Sequence, residues 1–351
     1  MTDQKQHRTE ISRLGEFGLI KVLTNRFKNI NASTIKAVGD DAAVIDTGNK
    51  YTLVTTDLMA EGIHFDLMYC PLKHLGYKSV VVNLSDIYAM NGIPRQVTVS
   101  LAISSKFSVE ALEELYEGVR LACEQYNVDL VGGDTSSSVK GLFISVTAIG
   151  EVDKDKVTYR STAREGDLLC VSGDLGGAYL GLQLLEREKR IFLENPQVQP
   201  DLENQQYLIG RQLKPEARKD IVELLAEKGI LPTSMIDVSD GLSSDLLHIC
   251  TQSNVGCRLY EADIPISQEG NEQALKFNLD PTACALSGGE DYELLFTIKK
   301  EDRKKLENEW DFSVIGDIVK NEMGVKLLSK GGKLHDVTAQ GWDALRKVSE
   351  L

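Results

Sequence analysis

Hydrophobic positions along the chain fall into alternating helical and strand periods. Leu19, Ile20, Val22 and Leu23 share one side of residues 16–27, which predicts an amphipathic helix. Residues 41–45 and 51–57 read as strands. From 72 to about 91 the period is helical again, and it ends at Asn91-Gly92-Ile93-Pro94, a stop-and-turn signal. Residues 96–104 alternate as a strand, with Val97, Val99, Leu101 and Ile103 on one face. Ser108-Val109-Glu110-Ala111 opens a helix to about Tyr126 with a capping-box-like start, and strands follow at 129–131 and 142–149.

Residues 151–165 are charged and carry no apolar period, so they predict a boundary between one domain over 1–151 and a second over 165–351. Past it, an apolar strand at 167–172 leads through Gly173-Asp174-Leu175-Gly176-Gly177 into a helix. Residues 214–228 read as a helix with Pro215 near its first turn. Strands at 234–238, 256–260, 292–298 and 312–316 alternate with helices at 241–253 and 301–309. The expected class is α/β, with some antiparallel pairing that gives it a mixed α+β character.

Composition narrows the partners. A chain of 351 residues is too long for one ordinary core and suits two domains. With 42% hydrophobic and 26% charged residues it is globular. Lys and Arg number 39 against 53 Asp and Glu, a net charge of −14, which argues against nucleic acid as the main partner. No stretch approaches the roughly eighteen apolar residues of a membrane span, and the polar opening Met1–Arg8 is no signal peptide. Cys70, Cys123, Cys170, Cys250, Cys257 and Cys284 show neither C-x-x-C nor zinc-finger spacing. Free thiols in a reducing cytoplasm are expected.

The familiar nucleotide and hydrolase signatures are missing: no Walker-type phosphate loop, no G-x-G-x-x-G, no G-x-S-x-G and no H-E-x-x-H. What remains is a series of Asp residues at strand ends and turns. They are Gly39-Asp40-Asp41, Thr55-Thr56-Asp57, Asn83-Leu84-Ser85-Asp86, Gly132-Gly133-Asp134 and Asp237-Val238-Ser239-Asp240-Gly241. Taken singly, each fits an N-cap or Asx-turn. As a set they are harder to dismiss, because three follow apolar strands and Asp86 interrupts an apolar helix. Two carboxylates 4 Å apart repel by ~4 kcal/mol at an effective dielectric of 20, so a shared cleft would need cations. All-oxygen ligands suit Mg²⁺, which leaves coordination positions to phosphate oxygens and so points to phosphoryl transfer. Ser287-Gly288-Gly289-Glu290-Asp291-Tyr292-Glu293 reads as a glycine turn entering a strand, or as a close backbone approach to ligand with Glu290 as acceptor for an amino-bearing group. His64 lies in a loop seven residues past Asp57.

In this order the motifs GDDAAV, TTD, GIHF, the segment Val81-Val82-Asn83-Leu84-Ser85-Asp86-Ile87-Tyr88-Ala89-Met90, GGD, DVSDGL and SGGEDYELLF resemble the thiamine-monophosphate kinases. These share a superfamily with aminoimidazole ribonucleotide synthetase, selenophosphate synthetase and a hydrogenase maturation protein. The match runs from about Gly15-Glu16-Phe17 to Gly341-Trp342-Asp343, and residues 1–14 lie ahead of it with no assigned role. The resemblance implies ATP-dependent phosphorylation of thiamine monophosphate to thiamine diphosphate by direct transfer, with no covalent nucleophile or general base. It also implies an N-terminal α/β domain that dimerises and a C-terminal α/β domain. By similarity, Asp41, Thr55, Thr56, Asp57, Asp86, Asp134, Asp237 and Asp240 hold several Mg²⁺ ions. Tyr116, Gly133, Asp134, Arg160 and Ser239 resemble nucleotide contacts, and His64, Glu290 and Trp342 match positions that hold the thiamine moiety. Asp40 shares the first loop but is not expected as a ligand.

Rival readings are an ATP-dependent synthetase of the purine-pathway type and a nucleotide-binding scaffold without turnover. The Glu290 segment and the Gly62-Ile63-His64-Phe65 loop favour the kinase. The retained carboxylates disfavour the scaffold. Selenophosphate synthetase is disfavoured because no Cys precedes Cys70. The expected assembly is a homodimer, since the N-terminal strands look too few to close their own sheet and the resemblance places the dimer contact there.

Overall fold

The computed structural model describes residues 13–339, apart from 308 and 310. Trp342 lies outside the described residues. The first half holds α1 (Gly15–Thr24), β1 (Thr34–Lys36), β2 (Ala43–Asp46), β3 (Lys50–Ala60), α2 (Leu72–Ala89), β4 (Ile93–Ile103), α3 (Val109–Tyr126), β5 (Asp129–Ser137) and β6 (Phe143–Asp153). Its six strands form one sheet in the order β1-β2-β3-β6-β4-β5, antiparallel except where β4 meets β5.

Local chemistry sets the helix ends. Ser108 accepts the Ala111 N–H at 3.3 Å and caps α3, as the sequence predicts. Asn91 and Asn127 take left-handed φ values of 57° and 55° just beyond α2 and α3, a conformation Asn tolerates better than most residues. Gly76 and Gly118 bring the two helices into backbone contact. A Cβ on either would lie 1.9 Å from a carbonyl oxygen of the other helix.

The second half holds β7 (Leu168–Ser172), α4 (Gly177–Glu194), α5 (Gln206–Leu213), α6 (Lys219–Glu227), β8 (Ser234–Asp237), α7 (Leu242–Ser253), β9 (Val255–Tyr260), α8 (Gln268–Lys276), α9 (Pro281–Ser287), β10 (Leu294–Ile298), β11 (Phe312–Lys320), β12 (Val325–Leu328) and β13 (Leu334–Asp336). Its seven strands run in the order β13-β12-β9-β11-β7-β10-β8, with β9 and β12 parallel and the other pairs antiparallel. Both faces of the sheet are covered at β7, which is buried at every position. Its Leu168 and Cys170 join the large apolar core that also holds α2, α3 and α6, while Leu169 and Val171 join a second core with α7.

Three expectations differ from the structure. The helix expected over 214–228 begins at Lys219, because the chain leaves α5 at Leu213 and the Ala217 N–H donates to the Tyr126 hydroxyl at 2.8 Å. The charged helix expected over 301–309 is a 3₁₀ stretch, Lys300–Leu306. The strand expected over 129–131 continues through Gly-Gly-Asp to Ser137, carried by its pairing with β4, although all nine of its residues are exposed.

Candidate active site

Segments far apart in the chain converge where α2 meets β3 and β8. The Asn-Leu-Ser-Asp run on α2 makes the junction. Asn83 accepts the Asp57 main-chain N–H at 3.0 Å and donates to the Ser79 carbonyl, tying β3 to the helix. Ser85 donates to Asp237 Oδ2 at 2.6 Å, and Asp86 accepts from Thr55 at 2.6 Å. Asp237 ends β8, and Asp41 lies in the turn before β2. Carboxylate oxygens of Asp41, Asp86 and Asp237 all lie within 4.8 Å of one another. The cleft they floor, about 1370 Å³, is also lined by Asp57, Arg160, Ser239, Asp240 and Asp245.

Such a cluster strains its own ionisation. Burial pushes Asp41 up to about 7, with Arg160 pulling the other way and Asp237 and Asp40 adding to the rise. Burial likewise raises Asp237 to about 6 against the Ser85 hydrogen bond and Arg160. Asp86 rises well above the usual carboxylate range through burial and the neighbouring Asp57, Asp237 and Asp41. Asp57 is exposed to water, and the surrounding protein and the charge of Glu16 push it upward. The one cation against the cluster among the described contacts is Arg160, whose Nη2 lies 2.6 Å from Asp41 Oδ1.

At the other end of the cleft, the Ser-Gly-Gly-Glu turn locks onto the Asp-Val-Ser-Asp-Gly turn. Glu290 N–H donates to the Ser239 carbonyl at 2.7 Å, and Tyr292 N–H to Val238 at 2.9 Å. Glu290 and Tyr292 hold left-handed φ values of 58° and 51°. Gly289, at φ +71°, has no room for a side chain, since a Cβ would sit 2.8 Å from the Ser239 carbonyl. The loop is braced from behind: Glu293 accepts from Arg211 at 2.6 Å, from Ser172 at 2.5 Å and from Arg218, while Asp291 accepts the Gly176 N–H at the start of α4. His64 accepts the Ala60 N–H at Nδ1, 3.0 Å away, which puts the proton of its neutral form on Nε2. Burial holds His64 below the usual imidazole range, with Glu290 opposing.

Of the residues expected from sequence, Asp41, Thr55, Thr56, Asp57, His64, Asp86, Arg160, Asp237, Ser239, Asp240 and Glu290 line this one cleft. The Thr56 hydroxyl, however, donates to the Val146 carbonyl at 3.0 Å on the opposite side of β3 from Thr55. Gly133 and Asp134 lie on the exposed edge strand β5, and Tyr116 on α3; none of the three lines the cleft. Asp245, Lys78 and Gln212 escaped the sequence reading. Asp245 accepts the Asp240 and Gly241 N–H groups and rises well above the usual carboxylate range by burial beside Asp240 and Asp237. Its place four residues past the Asp240-Gly241 turn, on the first turn of a helix, was a legible signal.

Fold and cleft define an AIR synthase related protein: the N-terminal domain of that family matches residues 39–152 and the C-terminal domain residues 164–327. Thiamine-monophosphate kinases of Aquifex aeolicus and Bacillus subtilis are 37% and 36% identical over 83% and 84% of this chain, and 88% and 87% of their own lengths. The chain belongs to the thiamine-monophosphate kinase family. A solved structure, AaThiL complexed with AMPPCP and TMP, matches it with a TM-score of 0.81 at 34% identity, covering 96% of this chain and 99% of that one.

Proposed function

We propose that the protein transfers the γ-phosphoryl group of ATP to thiamine monophosphate, releasing ADP and thiamine diphosphate. The observation that carries this reading is the convergence of Asp41, Asp86 and Asp237 within 4.8 Å in a chain of this family. The AaThiL relative was solved with AMPPCP, an ATP analogue, and TMP. The new bond joins the γ-phosphorus to an acceptor phosphate oxygen, and the bond to the β-phosphate bridging oxygen breaks. A phosphate monoester has its second pKa near ~6, so the acceptor is largely ionised at neutral pH and needs no general base.

The donor set fits Mg²⁺: hard carboxylate oxygens with no Cys or His, and carboxyls whose raised affinity for protons marks an unmet demand for positive charge. Asp41, Asp57, Asp86 and Asp237 would hold the ions, with Asp240 and Thr55 at the edge. When bound, Mg²⁺ would supply charge neutralisation to the transferring phosphoryl group. Arg160 orients Asp41 and adds fixed positive charge beside the phosphates. Ser239 borders the nucleotide, and Glu290 and His64 face the thiamine moiety.

The same reading includes two domains, 1–151 and 165–351, and a homodimer through β5. Leu130 and Val131 are 44% and 56% exposed on β5, the last strand of its sheet, whose outer backbone edge is of the kind that pairs with another chain. Pairing there would let Gly133, Asp134 and Tyr116 approach a nucleotide in the dimer. A cytoplasmic location agrees with six free, buried cysteines, and no described helix is long and apolar enough to cross a membrane.

A coupled ADP-release assay with ATP and Mg²⁺, with and without thiamine monophosphate, tests the reaction. ADP release that depends on thiamine monophosphate, with thiamine diphosphate as product, is expected. Release indifferent to it would point to the synthetase reading, and no release to the scaffold.

A further inference from the structure

Lys78 lies in the apolar middle of α2 with 3% of its surface exposed, a setting in which lysine is found only when paired. Its Nζ donates to the Gln212 main-chain carbonyl at 3.0 Å, one of the acceptors that the last turn of α5 leaves without an intrahelical donor. The same Nζ lies 3.1 Å from Glu290 Oε1. Gln212, itself 5% exposed, donates Nε2 to the other oxygen, Glu290 Oε2, at 2.7 Å. Reversal of that amide would set its oxygen against the carboxylate, so the chemistry fixes its orientation. Glu290 is thus gripped at both oxygens from the buried side, and its side chain keeps 29% exposure where it borders the cleft. Each oxygen retains a further lone pair for a ligand.

The main chain at Glu290 is held as tightly. Its left-handed φ of 58° is strained for a residue with a side chain and persists only where the surroundings over-determine it. A buried ion pair is a poor device for stability alone, because apolar residues of similar volume often serve as well or better. Lys78, Gln212 and the strained backbone all converge on one carboxylate at the ligand end of the cleft.

We propose that Lys78 is a positioning residue for the acceptor substrate: with Gln212 it fixes the Glu290 carboxylate in the orientation that receives an amino-bearing, cationic group. The inference deepens the kinase reading and rests on it.

Steady-state kinetics of the full chain and of Lys78→Met, a substitution of similar length, provide the test. The KM for thiamine monophosphate should rise at least about tenfold, while kcat and the KM for ATP stay within about threefold, the split expected when binding of one substrate that is equal in ground state and transition state is lost. Glu290→Gln should raise the same KM, and the double variant should be no worse than Glu290→Gln alone. An unchanged KM for thiamine monophosphate, a rise shared equally by ATP, or multiplying effects in the double variant would overturn the proposal. If Lys78→Met does not fold, Gln212→Leu carries the test: it should give the same selective rise, and an unchanged KM again overturns it. If the wild-type chain does not phosphorylate thiamine monophosphate, the kinase reading fails on its own account. Calorimetric titration of thiamine monophosphate into wild type and Lys78→Met then decides about Lys78: weaker binding by the variant supports it, and equal binding or none to either sinks it.

Discussion

Arg160 and Asp41 form a buried ion pair, Nη2 to Oδ1 at 2.6 Å, at the floor of the acidic cleft. Asp41 still rises to about 7, because burial and the neighbouring Asp237 and Asp40 outweigh the guanidinium. Removal of one partner from a buried pair costs about 3–5 kcal/mol when the other charge is stranded. Protonation would relieve that cost.

Arg160→Met should therefore destabilise the metal-free protein more at pH 8, where Asp41 is ionised, than at pH 6, where it takes up a proton. Thermal unfolding at the two pH values checks this. The midpoint should fall several degrees further at pH 8, at roughly 2–4 °C per kcal/mol. Equal losses at both pH values would mean that the pair does not govern the ionisation of Asp41.

His248 titrates in the opposite sense. Burial and the nearby Arg160 lower it to about 4, and its ring lies 4.2 Å from that of Phe17. An unfolded histidine titrates near ~6.5, so between the two values the unfolded chain binds more protons and stability falls as pH drops. His248→Gln removes this dependence. Between pH 7 and pH 4 the wild type should lose about 2–3 kcal/mol relative to the variant. Unfolding midpoints that run parallel across this range would refute the assignment.

Much of this site was legible as a list of residues but not as a set of contacts. The Asp series could be named because acidic residues at strand ends are visible in one dimension, and Asp41, Asp86 and Asp237 do meet. Lys78 was hidden, since a lysine in an apolar helix finds its reason in Gln212 and Glu290, more than a hundred positions away. Thr56 was read with Thr55 and Asp57 as a single motif, yet strand alternation sends its hydroxyl to Val146. The same limit applies to the fold. Period and capping marked α3, whereas the length of β5 comes from its pairing with β4, which no local pattern of nine exposed residues records.

That strand carries its own prediction. A dimer through β5 gives a light-scattering mass near twice 38.8 kDa at micromolar concentration. Val131→Asp, at a position 56% exposed in the single chain, should shift the mass toward the monomer and reduce turnover along with it. A wild-type mass of one chain would end the proposal.

The acidic cluster makes the last prediction, that Mg²⁺ and ATP stabilise the protein together far more than either does alone. Asp41 and Asp237, both buried, carry folded-state values near 7 and 6, above those of an unfolded aspartate. Between pH ~4 and 7 the folded state therefore binds more protons than the unfolded one, and metal-free stability should fall as pH rises through that window. Mg²⁺ supplies positive charge where protons would otherwise be drawn in, so it should flatten this fall. ATP without metal brings further negative charge to carboxylates that already repel one another, and should stabilise little. With both present, phosphate oxygens fill coordination positions that the protein leaves open. A ligand bound only to the folded state adds about 2.7 kcal/mol at a hundred times its dissociation constant, a shift that thermal unfolding reads easily. Asp86→Asn, which removes a charge held within 4.8 Å of Asp41 and Asp237, should raise metal-free stability at pH 8 and abolish the synergy. Equal midpoints for ATP with chelator and for Mg-ATP would show that these carboxylates form no shared metal site.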